Sequence, residues 1–172
     1  MSRFVHRGLL SNSMRRSTGL TLVELLVTLV ILSILASAAI PYAEVTVRRN
    51  KELDLSRSLR EIRTAIDRFH ADWQAGKISK ISAMASVNGY PRELRYLVEG
   101  VPIVGSTEKR KYLRRIPYDP LLRDKSGSPE SGWRLVGYTD KHDSLTWGGE
   151  DVYDVRSSSD QQALDQSRYT NW

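Results

Sequence analysis

Residues 20–40 form an apolar run in which Glu24 is the only charged residue. As a helix rising about 1.5 Å per residue, the run reaches about 31 Å, the depth of a bilayer's hydrocarbon core. Such a segment must enter lipid, pack against other apolar helices, or be removed. The 19 residues before it carry Arg3, Arg7, Arg15 and Arg16 and no acidic residue. A basic flank of this kind keeps the N-terminal end on the cytoplasmic side of a membrane.

Two processing routes compete for the run. In one, it is a secretory signal, and Ala36-Ser37-Ala38 offers the small-x-small cleavage site that releases a soluble protein. In the other, the cut falls at Gly19-Leu20, past the pair Arg15-Arg16, and the run is kept as an anchor. Glu24 separates them. A carboxylate inside an apolar segment costs roughly 2.5–3.5 kcal/mol on insertion scales, and a discarded signal has no use for it. A cut after Gly19 creates an α-amino group on Leu20, four residues before Glu24, so a helix starting there places amine and carboxylate one turn apart. The two groups neutralise each other within one chain, or between neighbours, where they set the register of a helical stack. Ala36, Ser37, Ala38 and Ala39 let such helices approach closely.

The string Gly19-Leu20-Thr21-Leu22-Val23-Glu24-Leu25-Leu26-Val27 resembles the cleavage and polymerisation motif of type IV pilins and type II secretion pseudopilins. The resemblance implies cleavage after Gly19 by the prepilin peptidase and methylation of the new N-terminus at Leu20, where the family usually has Phe. It also implies a role for Glu24 in assembly.

Beyond Pro41, the apolar residues Leu55, Leu59, Ile62, Ile66, Phe69 and Trp73 recur at helical spacing, with Arg57, Arg60, Glu61, Arg63, Asp67 and Arg68 between them. This predicts a long helix with one core-facing seam, stopped near Gly76 and kinked or loosened at Pro41. The chain is thus expected to divide into a leader (1–19), a transmembrane and polymerisation helix (20–40), an amphipathic continuation (41–76) and a globular head (77–172). In the head, Asn88-Gly89-Tyr90-Pro91 predicts a turn into a short helix with Leu94, Leu97 and Val98 inward and Gly100 as its stop. Residues 133–138 and 151–156 predict strands, and 126–132 an exposed loop. One long helix followed by short strands predicts an α+β fold, the helix packed on a small antiparallel sheet.

The absence of Cys excludes disulfides, thiolate metal sites and a cysteine nucleophile. His6, His70 and His142 stand at no metal-ligand spacing, and His70 is expected to be a polar residue flanking the seam. The sequence has no nucleophile elbow, phosphate loop or H-E-x-x-H, which points to a structural subunit and not an enzyme.

Charge is uneven: residues 41–125 hold 18 basic and 11 acidic residues, and 126–172 hold 4 and 8. Lys109, Arg110, Lys111, Arg114 and Arg115, with Tyr112 among them, form the densest basic stretch. Phosphates of a nucleic acid are one partner for it. A plain solvated face, or a patch against the acidic tail of a second copy, is favoured over nucleic acid; a head-to-tail contact of the latter kind that does not close propagates a filament.

The head extends the resemblance: Gly89-Tyr90-Pro91, Ile116-Pro117-Tyr118-Asp119-Pro120 and Asp151-Val152-Tyr153-Asp154-Val155 are similar to the major pseudopilin of type II secretion. This implies a homopolymer working with minor pseudopilins and an inner-membrane assembly platform. The subunit would pass once through the bacterial inner membrane, in contact with lipid, with its N-terminus cytoplasmic and its head periplasmic. It further implies calcium in the C-terminal loop, which maps onto Asp160 and Asp165, although the Gly-rich loop usual beside them is missing from 157–165. The plain alternative is that Asp151, Asp154, Asp160 and Asp165 form a solvated acidic face.

Overall fold

Helix α1, Leu22–Gln74, dominates the chain and begins where the sequence supplies a cap. A computed structural model describes residues 19–122, 126–141, 144 and 146–172, with backbone alone for 38–41. Thr21 Oγ1 accepts the Glu24 N–H at 3.2 Å and Thr21 O accepts the Leu25 N–H at 3.1 Å. The spacing Thr-x-x-Glu is that of a capping box, and it sets a carboxylate in the first turn, where the helix dipole favours it. Thr28, Ser33 and Ser37 donate their hydroxyls to the carbonyls of Leu25, Leu29 and Ile34 at 2.7–2.9 Å. Their polar groups are thereby satisfied inside the helix, as an apolar surrounding requires.

The helix runs through Pro41 without interruption, so the missing N–H there does not end it. It stops after Gln74 in a Schellman closure. Gly76, at φ +72°, donates its N–H to Trp73 O at 3.0 Å, and Lys77 donates to Asp72 O at 2.9 Å.

The chain forms two compact units, Met1–Tyr42 and Ala43–Trp172. In the second, the predicted seam is the core: Leu55, Leu59, Ile62, Ile66 and Phe69 are buried, Ala65 joins them, and Trp73 packs at the edge. They meet Ile78, Leu94, Leu97, Val101, Leu113, Val152, Val155 and Tyr169 in a single cluster. The turn before the short helix α2, Arg95–Glu99, requires glycine: Gly89 has φ +83°, and a Cβ there would lie 2.3 Å from the Trp73 ring. As expected, Leu94 and Leu97 point inward and Gly100 closes α2, donating to Tyr96 O at 3.1 Å.

The strands form two separate antiparallel pairs. Strand β1, Val101–Pro102, pairs with β2, Lys109–Arg110; β3, Trp133–Val136, pairs with β4, Asp154–Ser157, with Trp133 opposite Ser157. The fold is α+β, with shorter strands than the sequence predicts. Past Val136 the next two N–H groups go to side chains and not to a strand carbonyl, that of Gly137 to Asp140 Oδ2 at 2.7 Å and that of Tyr138 to Asp151 Oδ1 at 2.8 Å. The expected loop 126–132 contains a 3-10 turn, Pro129–Gly132, capped by Ser128 Oγ, which accepts the Glu130 N–H at 3.3 Å. Buried Asp119 ties the proline-rich turn to β4: it accepts the Leu121 N–H at 2.8 Å and the Ser157 hydroxyl at 2.6 Å.

Candidate processing and assembly site

Gly19, Leu20 and Thr21 precede the helix in irregular backbone, and Gly19 and Leu20 are exposed. A Cβ built on Gly19 meets nothing within 4 Å. Packing among the described residues therefore sets no demand for glycine at this position.

In the uncut chain the helix starts two residues past Leu20. Thr21 holds the cap, and the one-turn spacing of Leu20 and Glu24 is not imposed by helical geometry. The Glu24 carboxylate is exposed and has no hydrogen-bond or ion-pair partner among the described residues. Around it, every large apolar side chain from Leu20 to Leu35 is exposed. Soluble monomers rarely show contiguous apolar patches beyond a few hundred Å². α1 is long and apolar enough to cross a membrane. Arg3, His6, Arg7, Arg15 and Arg16 lie outside the described residues, as do the side chains of Ala38, Ala39 and Pro41.

In the head, the basic stretch is not uniform. Arg110 Nε stands 3.1 Å from Asp72 Oδ2, and buried Asp72 also receives Lys77 Nζ and the Tyr112 hydroxyl, each at 3.0 Å. Burial alone would raise the Asp72 carboxyl, but the Lys77 and Tyr112 hydrogen bonds and the nearby charges of Arg110 and Lys77 outweigh it and hold it below the usual carboxylate range. Burial, and then the bond to Asp72, pushes the Tyr112 hydroxyl up. Arg110 is thus an internal strut. Lys109, Lys111, Arg114 and Arg115 are exposed, with no ion-pair partner among the described residues.

The four C-terminal aspartates are not one solvated face. Asp151 is buried, accepting from Ser86 Oγ at 2.7 Å, Asn88 Nδ2 at 3.3 Å and the Tyr138 N–H. Asp154 accepts Arg63 Nε at 2.6 Å. Asp160 is exposed, 3.8 Å from Arg134. Asp165 Oδ1 accepts the Ser167 hydroxyl at 2.6 Å and its N–H at 2.9 Å, which holds the carboxyl below its ordinary range. Calcium takes 6–8 oxygens. Among the described residues no three His, Cys, Asp or Glu side chains gather to hold a metal, and Asp160 and Asp165 stand as two separate exposed carboxylates. As folded, this loop does not fit the calcium set that the resemblance implies.

His70 flanks the seam as expected, and does more. Its ring stacks on Tyr90 at 4.2 Å, with Nδ1 3.2 Å from Gly89 O and Nε2 2.8 Å from Gln74 Nε2. Tyr90, Tyr138 and Tyr153 form a mutual cluster with centroids 5.1–5.6 Å apart. Burial, then Tyr153, Tyr138, Asp67 and Asp151, pushes the Tyr90 hydroxyl up. His142 and Asp143 lie outside the described residues. Sequence reasoning missed Thr21, although Thr-x-x-Glu signals it. It also missed Asp72 and the tyrosine cluster, which no local pattern marks.

Residues 14–40 match the family model described as the prokaryotic N-terminal methylation motif. The match spans Arg15-Arg16, the Gly19-Leu20 junction, Glu24 and the apolar run. The chain therefore carries a leader of the type IV pilin and pseudopilin kind, the substrate type of a prepilin peptidase. No curated protein and no solved structure matches the chain.

Proposed function

We propose that the chain is a structural, non-catalytic subunit of a type II secretion pseudopilus. Prepilin peptidase cuts Gly19-Leu20, and the new amine of Leu20 is methylated. The subunit waits in the bacterial inner membrane, N-terminus in the cytoplasm and head in the periplasm, and polymerises with its own copies, minor pseudopilins and the assembly platform.

One observation carries this reading: the matched motif coincides with an exposed, irregular junction followed at once by a capped apolar helix. A peptidase needs its scissile bond in non-helical backbone, and the Thr21 cap keeps it so. Because a side chain at Gly19 would meet nothing within 4 Å among the described residues, the glycine answers to the peptidase. Glu24 then meets the Leu20 amine of its own chain or of a neighbour, which offsets the cost of a carboxylate in lipid. The head motifs similar to the major pseudopilin favour secretion over a surface pilus.

The test is the N-terminal sequence and mass of the mature protein from the membrane fraction of its host. A start at Leu20 with one added methyl group is expected. A start near Ala39 would overturn the proposal and leave a soluble secreted domain.

A further inference from the structure

The head carries two unsatisfied surfaces on opposite flanks of α1. On one flank, Arg63 reaches Asp154 and His70 stacks on Tyr90, so Asp67, on the same stripe, sits beside the tyrosine cluster. Tyr138 is 54% and Tyr153 46% exposed, and Asp67 is exposed with no partner among the described residues. On the other flank, Asp72 holds Tyr112 and Arg110, and Glu61 and Arg68 line a cleft with Arg114. At 3.6 residues per turn, the stripes 63/67/70 and 61/68/72 are about 150° apart around the helix. Arg114, on the second flank, is therefore turned away from the tyrosines of its own chain, and the exposed Arg115 follows it in sequence.

We propose that the Tyr138–Tyr153 platform, with Asp67 at its rim, receives Arg114 and Arg115 of a second copy. This rests on the assembly reading above and names the head contact within it. The chemistry is complementary: free guanidinium groups on one side, aromatic faces and an unpaired carboxylate on the other. The head already uses such pairing internally, with the Arg110 guanidinium 5.9 Å from the Tyr112 ring and Lys80 Nζ 5.5 Å from that of Trp73. Tyr and Arg are also the side chains enriched in protein interfaces. Two unlike surfaces on opposite flanks make a heterologous contact, and each added copy presents a fresh surface for the next.

The test uses the full-length chain in its own host. The sequence has no Cys, so Arg115→Cys combined with Tyr153→Cys supplies the only thiols. On mild oxidation of membranes, the double variant should give a ladder of dimers, trimers and higher species on non-reducing gels, and each single variant no ladder. Without introduced thiols, Arg114→Glu/Arg115→Glu should cut filament number by electron microscopy at least tenfold, and adding Asp67→Arg should restore most of it. Filaments without a ladder, or filaments indifferent to the charge reversal, would overturn the contact and leave the assembly reading standing. No filaments from the unaltered chain would overturn both. Retardation of duplex DNA that depends on Arg114 and Arg115, with no ladder, would reassign the basic side to nucleic acid.

Discussion

The two halves of α1 are one continuous helix with opposite solutions for their apolar residues. Up to about residue 37 every apolar side chain is exposed and the hydrophobicity runs all round the helix. From Leu55 onward the apolar residues occupy one stripe, and that stripe is buried. The same backbone hydrogen bonding serves both, so helix formation does not distinguish them. What distinguishes them is where the covering surface comes from. The head supplies it from Leu55 onward, and no described residue buries the apolar side chains of the first half. Burying an apolar side chain is worth roughly 1.5–3 kcal/mol, and for Leu22 to Leu35 that gain is available only from lipid or from other helices.

The sharpest way to break this contrast is at Glu24. Glu24→Ala should abolish filament formation while the head's unfolding midpoint stays within about 1 °C of the parent, because the exposed Glu24 carboxylate has no hydrogen-bond or ion-pair partner among the described residues. Electron microscopy of cells and near-UV circular dichroism of the detergent-solubilised full chain read the two effects separately. Normal filaments from this variant would show that the carboxylate is not the register element.

The converse change is Phe69→Ala. Phe69 is fully buried and its ring lies 5.5 Å from that of Tyr112. Truncation should destabilise the head by about 3–5 kcal/mol, measured by denaturant unfolding of the full chain, with cleavage at Gly19 unchanged. Leu29→Ala removes a similar side chain from the first half and should leave head stability alone. Equal losses from the two variants would mean that the halves are not covered independently.

How much of this could be read from the residues depended on distance along the chain. The seam, the Schellman end at Gly76, the inward Leu94 and Leu97, and Gly100 all follow from spacings of a few residues, and each appears where the spacing predicts. The strands were legible in place but not in extent. Asp151 collects Ser86, Asn88 and the Tyr138 N–H from distant segments, so that N–H goes to a side chain and not to a strand carbonyl. Asp72 was invisible for the same reason, since its partners come from residues 77, 110 and 112. At the junction, Gly19, Leu20 and Glu24 were legible as a motif, but the Thr21 cap shows that the helix does not yet include Leu20.

Asp72 gives a smaller and pH-dependent effect. Asp72→Asn keeps the shape but removes the charge from three donors, and should cost about 1–3 kcal/mol at neutral pH. The folded-state carboxyl titrates below its unfolded value of about 3.9, so its contribution is present above that value and is lost as pH falls through the lower, folded one. Parent and variant stabilities should therefore differ at pH 6–7, begin to converge near about pH 3.9 and meet only below the lower, folded value. A gap that persists in acid would mean that packing, not charge, accounts for the loss.

The smallest expected effect is that of calcium. Asp160 is exposed 3.8 Å from Arg134 and Asp165 Oδ1 accepts from Ser167, so a calcium ion would have only two carboxylates here and would need backbone oxygens and water to complete a shell of about 6–8. An ion that binds only the folded head stabilises it by RT ln(1 + [L]/Kd), about 2.7 kcal/mol at a hundredfold excess over Kd. Millimolar calcium chloride, compared with a chelator at matched ionic strength, should move the unfolding midpoint of the full chain by less than about 1 °C. A clear upward shift that Asp165→Asn removes would mean that the 157–165 loop rearranges around an ion. The C-terminal loop would then be, like the first half of α1, a region whose partner is not among the described residues.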